Sequence, residues 1–273
     1  MNKSLSIQLN SGQTIPPIGF GLWQVKDAAQ VTTSVAAALK AGYSHFDSAQ
    51  IYGNEGMLAE ALAAAGTKRN EVFITTKISV FNFAKFKTKK SFAASLVKLQ
   101  TDYVDLLLLH FPVTGLRARA WRDLENIYTA GQAKSIGVSN YTVRHLQQLL
   151  KNCKVKPAVN QVELHVFLQQ PELLAFCAEQ GITVEAYSPL AHGHGLTDPV
   201  LRTIGKKHGK TAAQVMLRWC IEAGTIPLPK SVTPERIAQN IDIFDFKLDA
   251  EDMAHIKELD KGMRTCWDPT RVP

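Results

Sequence analysis

Short apolar runs alternate with longer amphipathic stretches along most of the chain. Runs such as Val104–Leu109 are almost continuously apolar, which is typical of parallel strands that are covered on both faces. We therefore predict eight β-strands, and their predicted bounds are Ile18–Gly21, Ser44–Asp47, Val72–Lys77, Val104–His110, Ser135–Ser139, Ala158–Glu163, Thr183–Tyr187 and Thr225–Leu228.

Between the predicted strands, apolar residues recur at the spacing of an α-helix. Such helical stretches include Ala28–Ala41, Glu55–Ala64, Thr142–Lys151 and Pro171–Gln180. Two extra helices are predicted towards the C-terminus, Thr211–Ala223 between the last two strands and Asp249–Lys261 after the last strand. Eight strand–helix units in 273 residues indicate an α/β protein with a single (β/α)8 TIM barrel, which typically takes roughly 250 residues.

The ends of the chain lie outside this repeating pattern. Residues 4–19 predict a small β-hairpin that turns at Asn10-Ser11-Gly12 and would plug the bottom of the barrel. The tail Gly262–Pro273 has no periodicity, and no linker or low-complexity segment interrupts the chain. We therefore expect residues 1–273 to form one domain.

The chain is basic, with a formal net charge of +7 and a pI of about 9.2, which favours an anionic partner such as nucleic acid, anionic lipid or a phosphorylated small molecule. There is no arginine-rich arm and no RNA-binding signature, so nucleic acid is not the expected partner. Part of the positive charge lies in one run, interpreted as the solvated start of a helix: Lys85, Lys87, Lys89 and Lys90.

Features of the N-terminus and the cysteines predict a cytoplasmic protein. The first twelve residues lack the apolar core of a signal peptide, and no apolar run approaches the roughly 20 residues of a membrane span. The cysteines show no C-x-x-C pair and no metal-ligand spacing, so free thiols in a reducing compartment and no bound metal are expected; they are Cys153, Cys177, Cys220 and Cys266.

Polar residues stand at the carboxyl ends of three successive predicted strands, where barrel enzymes carry their active sites. Asp47 ends the second strand, Lys77 the third and His110 the fourth, and Tyr52 follows Asp47 in the next loop. Neighbouring strands are about 4.8 Å apart, so these side chains are expected to converge on one small patch. Each of the four has a plausible structural role by itself, but their joint occurrence at neighbouring strand ends favours chemistry.

This group has the properties of a proton donor to a carbonyl oxygen. A free tyrosine has a pKa near 10, and we expect the Lys77 ammonium to lower the pKa of Tyr52. Asp47 would pair with Lys77 and hold it in place, while His110 would orient a carbonyl oxygen towards the Tyr52 hydroxyl. Such a general acid suits carbonyl reduction, in which hydride reaches carbon and a proton reaches oxygen.

A second candidate site follows the eighth predicted strand. Thr233 and Pro234 are typical of a helix N-cap and first helical position, and Lys230, Ser231 and Arg236 surround that helix start. A helix N-terminus with basic neighbours favours anions, although a capped surface helix with incidental basic residues explains the pattern equally well. The chain has no G-x-G-x-x-G after a strand, so a Rossmann dinucleotide site is not indicated.

A series of short motifs runs in order along essentially the whole chain: Gly19–Gly21, Gly42–Ala49, Tyr52–Glu55, Thr75–Lys77, Asp102–Leu106, His110–Pro112, Gly137–Asn140, Asn160–Glu163 and Pro229–Ser231. By these motifs the sequence resembles the aldo-keto reductase family, and its compact size resembles the bacterial 2,5-diketo-gluconate and methylglyoxal reductases of that family. The resemblance implies that Tyr52 donates the proton and that NADP (NADPH) is the cofactor.

The resemblance also implies a cofactor site at the barrel mouth. Ser139, Asn140 and Gln161 would bond the nicotinamide carboxamide, and Tyr187 would stack on the ring. The 2′-phosphate and the adenine would lie near the start of the last barrel helix. The remaining residues implied at the cofactor are Ser188, Leu190, Lys230, Ser231, Val232, Thr233, Arg236, Gln239 and Asn240.

Some positions depart from the family pattern, chiefly around the substrate pocket. Phe111 stands where a tryptophan often follows the catalytic histidine, and residues 78–83 replace a tryptophan-bearing loop. His192 lies where relatives often place a serine near the pyrophosphate, and we expect it to contact that group. A small apolar or dicarbonyl substrate is expected, and the pocket wall is predicted to contain Trp23, Phe81, Phe83, Phe111 and Trp267. For Phe81 and Phe83, packing in the core is an equally open alternative.

Two other functions stay open at this point. One is a regulatory barrel that binds cofactor with little turnover, which an intact catalytic group disfavours. The other is a sugar hydrolase that uses Asp47 and Glu163, which requires two carboxylates about 5–10 Å apart. A monomer is expected, although the sequence shows no interface pattern that decides the oligomeric state.

Overall fold

The computed structural model describes residues 6–84 and 87–273, so Lys85 lies outside the described residues. Strands β1 and β2 form a hairpin, and β3 to β10 form one parallel sheet in sequence order. The strands are β1 (Ile7–Gln8), β2 (Thr14–Ile15), β3 (Phe20–Gly21), β4 (His45–Asp47), β5 (Phe73–Ile78), β6 (Val104–Leu109), β7 (Ala133–Ser139), β8 (Val159–Glu163), β9 (Thr183–Tyr187) and β10 (Thr225–Leu228).

Ten α-helices occur within the described residues. They are α1 (Ala28–Ala41), α2 (Glu55–Ala64), α3 (Lys87–Lys98), α4 (Arg117–Thr129), α5 (Val143–Leu150), α6 (Pro171–Gln180), α7 (Pro199–His208), α8 (Ala212–Glu222), α9 (Pro234–Ile241) and α10 (Ala250–Lys257). The predicted α/β class is therefore confirmed as a (β/α)8 TIM barrel with an N-terminal hairpin and two helices beyond the eight of the repeating unit.

The sheet closes between its first and last strands. The Gly19 N–H donates to the Pro227 carbonyl at 3.0 Å, and the Gly21 N–H donates to the Pro229 carbonyl at 3.0 Å. A Cβ atom on Gly19 would lie only 2.5 Å from His45 Nδ1, so glycine is needed there for the inward-facing histidine to fit. Closure brings the carboxyl ends of all eight strands to one mouth.

The predicted plug at the other end of the barrel is confirmed. Leu9 and Ile15 are buried in a cluster with inward-facing strand residues such as Phe73 and Ile226. The hairpin turns where the sequence predicted, and Gly12 there has a φ of +84°, which glycine adopts without strain.

The main hydrophobic core lies between the strands and the surrounding helices. Phe46 and Leu107 on the strands belong to the same cluster as Val35 and Leu124 on the helices. Helix α8 starts with the expected capping chemistry, since the Thr211 hydroxyl accepts from the Gln214 N–H at 3.3 Å. Lys87, Lys89 and Lys90 are exposed in the first turn of α3, as expected for a solvated helix face.

Some element bounds differ from the prediction. Helix α10 ends at Lys257 and not at Lys261, because the Lys261 and Met263 N–H groups donate to the Phe167 carbonyl and draw the chain towards the mouth. The four cysteines are free, with Cys177 and Cys220 buried. Among the described residues, no helix combines the length and the hydropathy needed to cross a bilayer.

Candidate active site

Three neighbouring strands bring the predicted catalytic side chains together at the mouth. Asp47 is the last residue of β4, Lys77 lies one residue before the end of β5, and His110 directly follows β6. Tyr52 ends a short 3-10 helix, Gln50–Tyr52, that begins three residues after β4.

Asp47 and Lys77 form a buried ion pair. Lys77 Nζ lies 2.6 Å from Asp47 Oδ1 and 2.8 Å from Asp47 Oδ2, and it also donates to the Ser48 carbonyl at 3.1 Å. Lys77 is fully buried and Asp47 is 4% exposed. The same ammonium lies 3.4 Å from the Tyr52 hydroxyl oxygen. A bidentate contact in so dry a place fixes the direction in which Lys77 points.

The expected pKa shift of Tyr52 is wrong in direction. Burial raises the pKa of Tyr52 well above its usual value, and the negative charge of Asp47 adds to this effect. The Lys77 ammonium, 3.4 Å from the hydroxyl oxygen, does not reverse the shift. Tyr52 is therefore a phenol that keeps its proton at neutral pH.

His110 is a neutral imidazole in this site. Burial, followed by the positive charge of Lys77, lowers the pKa of His110 to about 3. Its ring centroid lies 5.7 Å from that of Tyr52 and 5.7 Å from that of Trp267. A neutral imidazole keeps one N–H donor, which is what binding a carbonyl oxygen requires.

A second polar patch lies beside the first, on β7, β8 and β9. The Asn140 side-chain amide donates to the His110 carbonyl at 3.0 Å and to Ser139 Oγ at 3.1 Å. Its oxygen accepts from the Tyr187 hydroxyl at 2.7 Å. Ser139 Oγ in turn donates to the Gln161 carbonyl at 2.9 Å. These four predicted cofactor residues are therefore one connected network.

Gln161 joins the two patches through Asp47, and it also contacts Glu185, a residue that was not predicted from the sequence. Its Nε2 lies 2.8 Å from Asp47 Oδ2 and 2.8 Å from Glu185 Oε2. Glu185 is fully buried at the middle of β9. The sequence signal for it was a carboxylate inside an otherwise apolar strand, Thr183–Tyr187.

The predicted anion site lies at the start of α9. Thr233 occupies the N-cap position, but its side chain makes no capping hydrogen bond. Instead, Ser231 Oγ accepts from the Thr233 N–H at 3.1 Å. Lys230 and Arg236 are both exposed beside this helix start. Among the other residues predicted here, Gln239 and Val232 are exposed and Asn240 is buried.

The loop after β9 contacts the C-terminal tail. Ser188 has a φ of +49° and His192 a φ of +53°, so the backbone turns sharply here. His192 Nε2 lies 3.4 Å from Cys266 Sγ, and the His192 ring centroid is 5.7 Å from that of Trp23. Leu190 is half-buried in the same loop.

Three of the predicted aromatic side chains contact residues of the mouth. Trp267 packs against His110 and Phe111, with ring centroids 5.7 Å and 5.8 Å apart, and Trp23 packs against His192. Phe81 is 76% exposed and lines a groove with Ile51 and Lys98, so its place in the pocket wall stays a prediction. Phe83, for which pocket wall and core were both open, is fully buried in the main core directly after the 3-10 turn Val80–Asn82, where its apolar ring is removed from water.

The tail is tied to the mouth by Glu163, the last residue of β8. Glu163 Oε1 accepts from both the N–H and the hydroxyl of Thr265 at 2.6 Å, and Oε2 accepts from the Cys266 N–H at 3.2 Å. Together with His165, these bonds hold the pKa of Glu163 below its usual value despite burial. Since Glu163 anchors the tail and Asp47 pairs with Lys77, neither carboxylate is free for glycoside hydrolysis.

Comparisons with known proteins agree with this architecture. A family model described as "Aldo/keto reductase family" matches residues 17–261. The chain is 43% identical over 267 residues to a glyoxal reductase of Bacillus subtilis (strain 168), covering 98% of this chain and 97% of the relative. It is 42% identical over 267 residues to a methylglyoxal reductase of Escherichia coli O157:H7, covering 96% of each.

A solved structure has the same fold. It is an aldo-keto reductase from a Medee basin deep-sea metagenome library, 40% identical to this chain with a TM-score of 0.94. The match covers 98% of this chain and 100% of that one. The similarity therefore extends over the barrel, the hairpin and the tail.

Proposed function

The chain belongs to the aldo/keto reductase family, and on that premise we propose that it reduces aldehydes, ketones or α-dicarbonyls to alcohols with NADPH. The observation that carries the proposal is the buried Lys77 ammonium, which lies 2.6 Å from Asp47 and 3.4 Å from the Tyr52 hydroxyl. With Lys77 held beside it, the protonated Tyr52 phenol is suited to donate its proton to an oxygen that is gaining negative charge.

Each member of the group has a distinct part in that step. Tyr52 gives its proton to the carbonyl oxygen as the carbon is reduced. Lys77 stabilises the phenolate that Tyr52 becomes, and Asp47 holds the Lys77 side chain in place. Neutral His110 donates a hydrogen bond to the carbonyl oxygen and aligns it with the phenol.

The second polar patch fits a nicotinamide. A bound nicotinamide supplies the hydride, and its carboxamide needs both donors and acceptors of the kind that Ser139, Asn140 and Gln161 present. The Tyr187 hydroxyl donates a hydrogen bond to the Asn140 carboxamide oxygen at 2.7 Å. Tyr187 would release this bond as its ring stacks on the cofactor.

The start of α9 supports NADPH over NADH. Lys230 and Arg236 are exposed there, and Ser231 adds a hydroxyl beside the helix N-terminus. Two cations and a helix dipole suit a phosphate with two charges, which only the phosphorylated cofactor carries at its ribose. We expect Arg236→Ala to weaken NADPH binding by about tenfold and to leave NADH binding nearly unchanged.

The substrate class follows from the mouth and from the relatives. The aromatic wall of Trp23, Phe111 and Trp267 suits a small carbonyl compound next to one polar centre. The named relatives are a glyoxal reductase and a methylglyoxal reductase, so α-oxoaldehydes are the proposed substrates.

One chain contributes all four residues of the proposed catalytic group. The proposed active form is therefore a monomer that folds as one domain. Analytical ultracentrifugation would measure the oligomeric state in solution.

The decisive experiment is NADPH oxidation with methylglyoxal, a nitrobenzaldehyde and a keto-sugar, run beside Tyr52→Phe. We expect activity in the parent and a loss of roughly 10²–10⁴-fold in the variant, because the general acid is removed. NADPH binding, followed by fluorescence quenching, should be the same in both proteins.

Two results would contradict the proposal. Activity that survives in Tyr52→Phe would mean that another group donates the proton. Tight NADPH binding with no turnover of any substrate would favour a regulatory barrel. A matched control is Tyr103→Phe, since Tyr103 is remote from this site, and it should keep the parent's activity.

A further inference from the structure

A second buried carboxyl group lies directly below the catalytic group. Glu185 on β9 is paired in register with Gln161 on β8, and both side chains point into the barrel. The Gln161 side-chain nitrogen lies 2.8 Å from Asp47 Oδ2 and 2.8 Å from Glu185 Oε2. One amide group therefore bridges two carboxyl groups and uses both of its hydrogens to do so.

We infer that Glu185 is a positioning residue that holds the Gln161 amide on Asp47 and thereby fixes the Asp47–Lys77 pair beside Tyr52. The inference rests on the proposed role of Tyr52 as proton donor. The Glu185 side chain accepts a hydrogen bond from Gln161, so its positioning effect on Asp47 passes through Gln161.

The hydrogen-bond geometry explains why two acceptors matter. With carboxyl oxygens of Asp47 and Glu185 on either side of Nε2, the Gln161 carboxamide oxygen has to point away from both. Without Glu185, one amide hydrogen would be buried with no acceptor, and the amide would gain from turning. Any turn of Gln161 moves the bond that holds Asp47 Oδ2.

The charges around Glu185 decide its protonation state. The titratable groups that face it are Asp47 and His45 from β4 and Lys77 from β5. The neighbouring strand β10 presents the apolar Ile226 at the paired position. Burial and then the positive charge of Lys77 lower the pKa of His45 to about 3, so His45 is neutral. Among the groups that face Glu185, Lys77 is thus the cation, and it is already paired with Asp47.

The Glu185 carboxyl group therefore stays protonated at neutral pH. Burial, followed by the negative charge of Asp47, raises the pKa of Glu185 to about 8. Its ionisation at higher pH adds a negative charge below the Asp47–Lys77 pair. That charge makes Tyr52 a weaker acid, so activity should fall as pH rises through the pKa of Glu185.

The test compares kcat against pH for the parent, Glu185→Gln and Glu185→Leu. Glu185→Gln keeps an oxygen acceptor for Gln161 and cannot ionise, so its kcat at pH 7 should stay within about threefold of the parent. Its alkaline loss of activity should move up by about one pH unit or more. Glu185→Leu removes the acceptor, and its kcat should fall by about tenfold at every pH.

Glu125 provides the matched control for a buried glutamate. It is 7% exposed on α4, outside the barrel, where its carboxylate accepts from Trp121 Nε1 at 3.1 Å. Glu125→Gln and Glu125→Leu should change the free energy of unfolding but not the pH profile of kcat. If Glu185→Leu fails to fold, the profile of Glu185→Gln carries the test by itself.

An alkaline limb in Glu185→Gln that coincides with the parent's would overturn the inference, as would a parent-like kcat in folded Glu185→Leu. The proposed function fails in a different experiment, since it requires that Tyr52→Phe be inactive. An inactive Tyr52→Phe together with an unmoved limb in Glu185→Gln would reject only the role of Glu185.

Discussion

The two ends of the barrel bury opposite kinds of side chain, apolar at the bottom and charged at the mouth. At the bottom, the hairpin inserts Leu9 and Ile15 among apolar strand residues and buries them almost completely. At the mouth, the chain buries the Lys77–Asp47 pair and ties the C-terminal tail to Glu163.

Stability and the proposed function therefore depend on opposite ends of the barrel. Apolar burial at the bottom contributes free energy directly. A buried ion pair at the mouth gives little net stability, since desolvation offsets the attraction between the charges. The bottom of the barrel therefore contributes stability, whereas the mouth carries the groups to which we assign the proposed proton transfer.

The largest effect is expected for Lys77→Met at the mouth. The variant leaves Asp47 buried without its cation, which should lower the free energy of unfolding by about 3–5 kcal/mol and kcat by at least about a hundredfold. Urea unfolding and steady-state kinetics measure the two quantities. The double variant Asp47→Asn/Lys77→Met should regain stability but not activity, and recovery of both would break the separation.

Ile15→Ala tests the bottom of the barrel. It removes fully buried methyl groups from the plug, so the free energy of unfolding should fall by about 2–5 kcal/mol. Below the unfolding transition, kcat/KM should equal that of the parent because the catalytic group lies at the other end. A selective loss of kcat in folded Ile15→Ala would mean that the plug also shapes the mouth.

The pH dependence of stability sharpens the account of the mouth. In the unfolded chain a glutamate loses its proton near its ordinary pKa of 4.5, whereas folded Glu185 holds it up to about 8. Unfolding therefore releases a proton between these values, and stability is lost as pH rises through that window.

The slope should be about 1.4 kcal/mol per pH unit at most, since one proton is involved. Glu185→Gln lacks this proton, so its stability relative to the parent should increase from pH 5 to pH 8. Denaturant unfolding at several pH values measures the difference. A stability difference that does not change with pH would show that Glu185 has an ordinary pKa in the folded protein.

The smallest effect is expected at the tail. Thr265→Val removes the hydroxyl bond to Glu163 and keeps the backbone bond, so KM should rise a few-fold, equivalent to about 1 kcal/mol. Thr270→Val is the matched control, because the Thr270 hydroxyl bonds only the exposed Asp268 within the described residues. Equal KM values in the two variants would show that the Thr265–Glu163 bond does not contribute to substrate binding.

Much of the fold could be predicted because the periodicity of the chain is regular. Thr183–Tyr187 and Thr225–Leu228 were predicted to the residue, as were Ala28–Ala41 and Pro171–Gln180. Errors lie at element ends, where tertiary contacts compete with propensity. The end of α10 is one example, since the Phe167 carbonyl captures the following N–H groups.

The candidate site could be predicted only in part. Asp47, Lys77 and His110 were found because polar residues at the ends of parallel strands must meet at one mouth. Tyr52 was predicted as the proton donor, but the direction of its pKa shift could not be predicted, because the shift depends on how deeply the folded chain buries the phenol. The burial of Phe83 was equally hidden, since nothing in residues 78–83 tells which aromatic ring turns inwards.

The sequence by itself therefore determined the order of the strands and the side chains that stand at their ends, because both depend on local pattern and on the common direction of parallel strands. Only the tertiary structure decided which buried groups share hydrogen bonds. Gln161 reaches Asp47 across 114 residues and Thr265 reaches Glu163 across 102. Such pairs depend on strand stagger and on the path of the tail, and these are set when the whole barrel closes.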